Sequence, residues 1–265
     1  MDQVTSRTFA SGVLTLAIYF GVFISAPSGS FSQKTVTQIW YTYDQQAKVH
    51  HKWGYLFDLN HRTGTFKEFK AVVSAARAGA FFHINKNERL AAGYAWFGTY
   101  LHDAPVEMLH EHRLWQQYQQ FGHSKKTSWF HRFRVEERWR EQIPIGRIEP
   151  GDTYFTLRAR YMFRIQGTMI KDATMGWPLV HWQAATELML HSGQGINDHN
   201  FDQFRLVGGP VVQLSKPMQL ALLYQYINQY KPISQRHQNI HSLRLTLFHN
   251  IDFSTTQRAQ RSGNS

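Results

Sequence analysis

The chain has 265 residues, no cysteine, and 29 lysines and arginines against 18 acidic residues, which gives a formal charge of +11. The absence of cysteine excludes a disulfide scaffold, thiolate metal sites and a cysteine nucleophile. A hydrophobic content of 42% excludes a disordered chain. A mean hydropathy of −0.44 excludes a bundle of transmembrane helices.

Residues 1–32 have the pattern of a secretory signal peptide. Arg7 precedes an apolar run from Gly12 to Ile24, and small residues then lead to a candidate cleavage site at Ser30–Ser32. The sequence therefore predicts export and cleavage before Gln33. An uncleaved anchor helix is the alternative, because the segment before the apolar run is only weakly basic.

Two-residue alternation of polar and apolar side chains dominates residues 33–253, the predicted mature domain. In the clearest run, Arg134 and Glu136 fall on one face, whereas Phe133 and Val135 fall on the other. This period is typical of β-strands that have two different environments on their two faces. The fold class predicted from it is all-β, built from long antiparallel strands.

Two barrel architectures give a strand one apolar and one polar face. A soluble lipocalin-like barrel points the apolar face inward, and an outer-membrane barrel points it outward to lipid. Long strands, aromatic residues near the strand ends and a polar face that mixes Arg, Glu, His and Gln favour the membrane version. We therefore predict a transmembrane antiparallel β-barrel in the cell outer membrane. Its expected partners are membrane lipid and the barrel-assembly machinery, and a soluble lipocalin-like binder remains the alternative.

Turn signals divide the mature domain into eleven strand segments. Short connections, such as Asp44–Ala47, alternate with longer ones, such as Gln142–Gly151. Because single-chain bacterial outer-membrane barrels have an even number of strands, the prediction is twelve strands, with ten as the alternative. Residues 254–265 are polar and are predicted to form a C-terminal tail.

Five short stretches of the mature domain form a recognisable series. They are Gln38–Trp40, Gly93–Trp96, Glu111–Gln117, Arg132–Arg138 and Asn200–Arg205. In their order and spacing they resemble the domain of unknown function 2490 family. The resemblance covers about residues 35–253 and implies an exported outer-membrane β-barrel of Gram-negative bacteria. It brings no established activity.

Charged residues on the polar strand faces are predicted to share a network in the barrel lumen. An unpaired charge in a barrel interior is costly, so these residues should pair with one another. The predicted members are Glu111, Arg113, Arg132, Arg134, Glu136, Arg138, Arg158, Arg160, Glu187, Arg205 and Arg244. Two functions stay open for them. One is a packed lumen with a structural role, and the other is a narrow channel that favours small anionic solutes, because Arg exceeds Glu on this face.

An outer-membrane lipid-modifying enzyme, similar to a phospholipase or an acyltransferase, is the alternative function. Its candidate catalytic residues are His191 and Ser192, but neighbouring residues on a strand point to opposite faces, which disfavours the pair. His110 and His112 share a face and are the candidate metal ligands, although no third ligand is evident. The sequence favours a non-enzymatic role.

The chain contains no phosphate-binding loop and no dinucleotide fingerprint, so no cofactor is predicted. Nucleic-acid binding is not predicted either, because the Arg and Trp residues fall on opposite strand faces and do not line one groove.

Overall fold

The computed structural model describes residues 34–64, 69–101, 108–141, 151, 153–171, 178–194, 196, 199–231 and 236–254. The predicted signal peptide, residues 1–32, lies outside the described residues, as does the predicted tail after Ser254. No helix in the described part of the chain is long and apolar enough to cross a membrane.

Eleven β-strands make up most of the described residues. In chain order, β1 to β11 are Lys34–Lys48, Trp53–Thr63, Ala71–Asn85, Glu88–Tyr100, Met108–His123, Thr127–Glu141, Thr153–Lys171, Pro178–Gly193, Phe201–Gln213, Met218–Lys231 and Arg236–Asp252. Eleven is also the number of segments that the turn signals delimit in the sequence.

The described residues form one closed barrel. Each strand pairs with its neighbours in the chain, and β1 pairs with β11 to close the ring. The β1–β11 pair is parallel, from Lys34 opposite Gln238 to Lys48 opposite Asp252, whereas the other pairs are antiparallel. Eleven strands correct the predicted twelve. The even-number rule assumes an antiparallel pair at the closure, and this barrel closes with a parallel pair instead.

The predicted turn at Asp44–Ala47 is wrong, because these residues continue β1. The chain turns after Lys48, where the backbone N–H of Val49 donates to the carbonyl oxygen of Trp53 at 3.0 Å. Asp44 and Gln46 are polar, as residues in turns often are, but their side chains line the lumen cavity. The polar residues in this stretch therefore belong to a strand with a lumen-facing side, and they do not form a connection.

The two faces of the strands have the predicted environments. On β6, Phe133 points away from the barrel and is 52% exposed, whereas Glu136 points into the lumen and is 2% exposed. Leu157 on β7 and Leu188 on β8 are likewise exposed on the outside. The apolar face is therefore outward, which confirms the all-β barrel and the sense of its alternation.

An apolar group fills the lumen along β3, β4 and β5, and we call it the aromatic cluster. Its members are Ala75, Phe81, Ala91, Ala95, Phe97 and Trp115. Trp115 is directly opposite Gly93, which in turn is opposite Gly79. A Cβ atom on Gly93 would lie 2.1 Å from the carbonyl oxygen of Ala78 and 2.6 Å from Cζ2 of Trp115. The indole therefore lies against both glycines, which leave room for it because they have no side chain.

Candidate functional site

Inward-facing charged residues of β5 to β9 form a connected group of ion pairs, which we call the ionic cluster. Its members are Glu111, Arg113, Arg132, Arg134, Glu136, Arg138, Arg158, Arg160, Glu187, Asp202 and Arg205. The structure thus brings together ten of the eleven residues that the sequence predicted for the lumen network.

Glu136 is the centre of the ionic cluster and contacts four arginines. Nη1 of Arg160 donates to Oε1 of Glu136 at 2.6 Å, and Nε of Arg158 donates to Oε2 at 2.9 Å. The Nη1 atoms of Arg113 and Arg134 lie 3.5 and 3.6 Å from the same carboxylate. One buried negative charge therefore holds together arginines from β5, β6 and β7.

Glu187 extends the ionic cluster towards β9 and towards the barrel end at which β5 connects to β6. Its Oε1 accepts hydrogen bonds from Arg132 at 2.6 Å and from Arg160 at 2.7 Å. Nη1 of Arg205 lies 3.7 Å from its Oε2. Arg160 is shared between Glu187 and Glu136, so the two carboxylates belong to one continuous network.

Glu111 and Asp202 complete the other side of the network. Glu111 accepts hydrogen bonds from Nε of Arg113 at 2.7 Å and from Nε of Arg138 at 2.5 Å. Asp202 accepts from Nη1 of Arg158 at 3.1 Å. Arg113 and Arg138 are direct cross-strand neighbours of like charge, which is unfavourable unless a carboxylate lies between them. Glu111 supplies that carboxylate.

Asp202 is the member of the ionic cluster that the sequence analysis missed. It precedes Gln203, yet both side chains are buried. The register between β8 and β9 shifts between Met189 and Leu190, and this irregularity turns Asp202 into the lumen. Strict alternation places Asp202 outside, so only the register shift reveals its role.

Arg244 does not join the ionic cluster, although the sequence placed it there. It lies on β11, where its Nε donates to Oγ1 of Thr246 at 3.1 Å. Within the described residues, no ion pair within 4.0 Å links Arg244 to the cluster. It still lines the lumen cavity.

The lumen contains a cavity of about 820 Å³. Among the described residues, twelve arginines and four carboxylates line it. The arginines are Arg62, Arg77, Arg89, Arg113, Arg132, Arg134, Arg138, Arg158, Arg160, Arg164, Arg205 and Arg244, and the carboxylates are Asp44, Asp58, Glu111 and Glu187. The lining therefore carries a large excess of positive charge.

Two lining arginines meet at one indole ring, in a group that we call the Trp40 shelf (Trp40, Arg62 and Arg205). Trp40 on β1 packs against Ile240 on β11 and Ile227 on β10. The guanidinium of Arg62 lies 3.7 Å from the centre of an indole ring, and that of Arg205 lies 5.6 Å away. Side chains from β2 and β9 therefore converge on Trp40 inside the lumen.

Arg62 has no acidic partner within 4.0 Å among the described residues. Its Nε donates to Oδ1 of Asn60 at 2.8 Å, and its cationic plane stacks on Trp40. Both partners are uncharged, so the charge of Arg62 is not neutralised locally. The Trp40 shelf is consequently a positive point of the lumen at which an anion can be stabilised.

His191 and Ser192 point to opposite faces of β8. His191 is buried in the lumen, where its Nδ1 lies 3.9 Å from Oδ1 of Asp202, whereas Ser192 is exposed on the outside. The two side chains cannot share a proton in this arrangement. The structure therefore does not assemble them into a catalytic pair.

His110 and His112 lie on the outer face of β5. His110 accepts a hydrogen bond from Nε1 of Trp96 at 3.2 Å, and Nδ1 of His112 lies 2.5 Å from the hydroxyl of Tyr94. The described residues hold no group of three or more His, Cys, Asp or Glu side chains that could bind a metal ion. The two histidines are therefore paired with aromatic residues of the neighbouring strand.

Fold and lumen together define a class of protein, the closed β-barrels whose interior is polar and largely filled by charged side chains. Within that class the chain belongs to the family described as "Protein of unknown function (DUF2490)", whose model matches residues 37–238. This match confirms the resemblance found in the sequence. No curated protein matches the chain.

Proposed function

We propose that the protein is an outer-membrane β-barrel whose lumen is a narrow passage for small anions. The observation that carries the proposal is the excess of arginines over carboxylates in the lumen lining. One of these arginines, Arg62, has no acidic partner within 4.0 Å in the described structure. Positive charge at a constriction favours anions over cations. The established family supplies no activity, so the proposal rests on the lumen.

The outer wall supports the membrane part of the proposal. The strands are 11 to 19 residues long, whereas a tilted crossing needs about 9–11 residues. Their outward side chains are apolar, as Leu157, Leu188 and Leu243 illustrate. The same outward face argues against the soluble lipocalin-like alternative, which requires these side chains inside.

The Trp40 shelf provides the sharpest test of anion selectivity. The full chain, purified from outer membranes, is placed in planar bilayers, and the anion-to-cation permeability ratio is measured from the reversal potential in a KCl gradient. A unit charge about 4 Å from an ion contributes about 1 kcal/mol in water, equivalent to about a five-fold change. Arg62→Gln and Arg205→Gln should each lower the permeability ratio by about that factor.

Lys86→Gln is the matched control, because it removes one positive charge from an exposed residue of the β3–β4 turn. It should leave the permeability ratio unchanged. Equal ratios in the wild type and both shelf variants would refute the selectivity. Silent bilayers with a correctly folded barrel would refute the passage itself and favour the structural role instead.

A further inference from the structure

A histidine and a serine meet on the outer wall of the barrel, near the end that carries the longer connections. His61 on β2 and Ser74 on β3 are direct cross-strand partners. Nδ1 of His61 lies 2.9 Å from Oγ of Ser74, and the hydroxyl of Tyr100 on β4 lies 3.3 Å from the same Oγ. His61 is exposed and Ser74 is half-buried, so the pair is open to molecules outside the barrel.

Other outward histidines have different partners. Ring nitrogens of His112, His131 and His241 contact tyrosine hydroxyls, at 2.5, 2.8 and 2.6 Å. A tyrosine hydroxyl is a poor nucleophile for acyl transfer in this setting, whereas a serine hydroxyl with a histidine base is a recurrent one. Within the described part of the chain, His61 is therefore the outward histidine whose hydrogen-bond partner suits covalent chemistry.

An apolar groove of about 590 Å³ begins at this pair and continues across the outer wall. Leu59, Trp96, Leu245 and Leu247 line it, together with His61 and Ser74 themselves. Ala76 lies two residues after Ser74, on the same face of β3, and its small side chain leaves room for a bound molecule. The volume lies within the range of about 300–1,000 Å³ that is usual for small-molecule sites.

We propose that His61 and Ser74 are the base and the nucleophile of an esterase site, whose substrate is the carboxylic ester of a long-chain lipid. The groove accepts the acyl chain because its lining is almost wholly apolar, and the dyad at its edge is placed to reach the ester group. The site faces the surroundings of the barrel, so it acts independently of any ion passage through the lumen.

The reaction follows from the geometry of the pair. With the His61 proton on Nε2, Nδ1 accepts the proton of the Ser74 hydroxyl as Oγ attacks the carbonyl carbon. The tetrahedral oxyanion collapses, the bond to the alcohol oxygen breaks, and His61 returns the proton to that oxygen, which leaves acyl-Ser74 and a free alcohol. Water then attacks the acyl carbon while His61 takes its proton. The bond between the acyl carbon and Oγ breaks, and His61 returns the proton to Oγ, which releases the carboxylic acid and regenerates Ser74. Tyr100 can donate a hydrogen bond within this site.

The test uses the full chain, purified from a host that lacks its own outer-membrane phospholipase. Fatty-acid release is measured from micelles of a diacyl glycerophospholipid and, separately, from lipopolysaccharide. Release from either lipid supports the site and identifies its source of acyl chains. Ser74→Ala should reduce release to background, and His61→Gln should reduce it by about 100-fold or more, since a general base contributes at least that factor.

Two controls match these variants in chemistry and in position on the outer wall. Ser192→Ala removes an outward serine of β8, and His112→Gln removes an outward histidine of β5. Both should retain the wild-type rate. Heat-modifiable migration in gels reports whether each variant forms the barrel.

A fluorophosphonate probe gives a second readout that does not depend on the variants folding. It should label the wild-type chain at Ser74, as located by peptide mass spectrometry. A folded wild-type barrel that releases no fatty acid from either lipid and takes no label at Ser74 would overturn the proposal. Unchanged release by a folded His61→Gln variant would overturn it too.

Discussion

The ionic cluster and the aromatic cluster fill neighbouring sectors of one lumen, the first with paired charges and the second with packed apolar side chains. In the ionic cluster, Glu136 is 2% exposed and is surrounded by arginines from three strands. In the aromatic cluster, Trp115 is 1% exposed and lies on glycines. The two sectors touch where the guanidinium of Arg113 lies 3.5 Å from the centre of the Phe97 ring, and where that of Arg134 lies 4.9 Å from the centre of a Trp115 ring.

The two sectors depend on their neighbours in different ways. Every carboxylate of the ionic cluster serves two or more arginines, so the loss of one leaves several buried charges without compensation. The aromatic cluster depends on shape, and a misfit there can be absorbed in part by small shifts of side chains. The ionic sector is therefore expected to be the more sensitive of the two.

The largest effect is predicted for Glu136→Gln. The variant keeps the shape of the side chain but removes the charge that Arg113, Arg134, Arg158 and Arg160 share. Breaking a buried ion pair from one side costs about 3–5 kcal/mol, so the free energy of unfolding should fall by about that amount. Urea unfolding of the refolded barrel in detergent micelles, followed by tryptophan fluorescence, measures it.

Glu137→Gln is the control for this prediction, because Glu137 is the next residue of β6 and points to the outer face. It makes no ion pair within 4.0 Å in the described structure, and its replacement should change the free energy of unfolding by about 0.5 kcal/mol or less. If both variants were equally stable, the ionic cluster would not hold the barrel together.

An intermediate effect is predicted for Gly93→Ala in the aromatic cluster. The added methyl group would meet the Ala78 carbonyl oxygen at 2.1 Å and Trp115 at 2.6 Å, so both the strand and the indole must shift. Overpacking of this kind costs about 1–3 kcal/mol, measurable by the same unfolding assay. Gly208→Ala is the control, since its methyl group would meet a neighbour only at 3.5 Å. A loss as large for Gly208→Ala would contradict the packing argument.

Local sequence pattern predicts one part of this fold and leaves another part undetermined. Alternation in segments such as Phe130–Arg140 predicted the strands, the outward apolar face and ten members of the ionic cluster, because these depend only on a period of two residues. The parallel closure of β1 on β11 depends on which strands meet in space, and local pattern carries no information about that contact. The predicted strand count therefore followed a general rule that this barrel does not obey.

The pairing register of neighbouring strands explains two further differences between the sequence-based predictions and the structure. Asp202 enters the lumen through an irregularity in the pairing of β8 with β9, and no residue type marks that position in the sequence. His61 and Ser74 are 13 residues apart, and they meet only because the β2–β3 pairing sets them opposite each other. His191 and Ser192, the candidates taken from the sequence, are adjacent in the chain, and the strand therefore points their side chains to opposite faces.

The smallest effect is predicted for Asp58→Asn, which removes an isolated lumen ion pair next to the aromatic cluster. Oδ2 of Asp58 lies 3.4 Å from Nη1 of Arg77, with both side chains partly exposed. Asp58 is also directly opposite Asp44, so its charge is repelled as well as attracted. Because the attraction to Arg77 and the repulsion from Asp44 offset each other, the variant should lose about 1 kcal/mol or less, and less at high salt. A loss comparable with that of Glu136→Gln would mean that single pairs stabilise this lumen as strongly as the shared carboxylates of the ionic cluster.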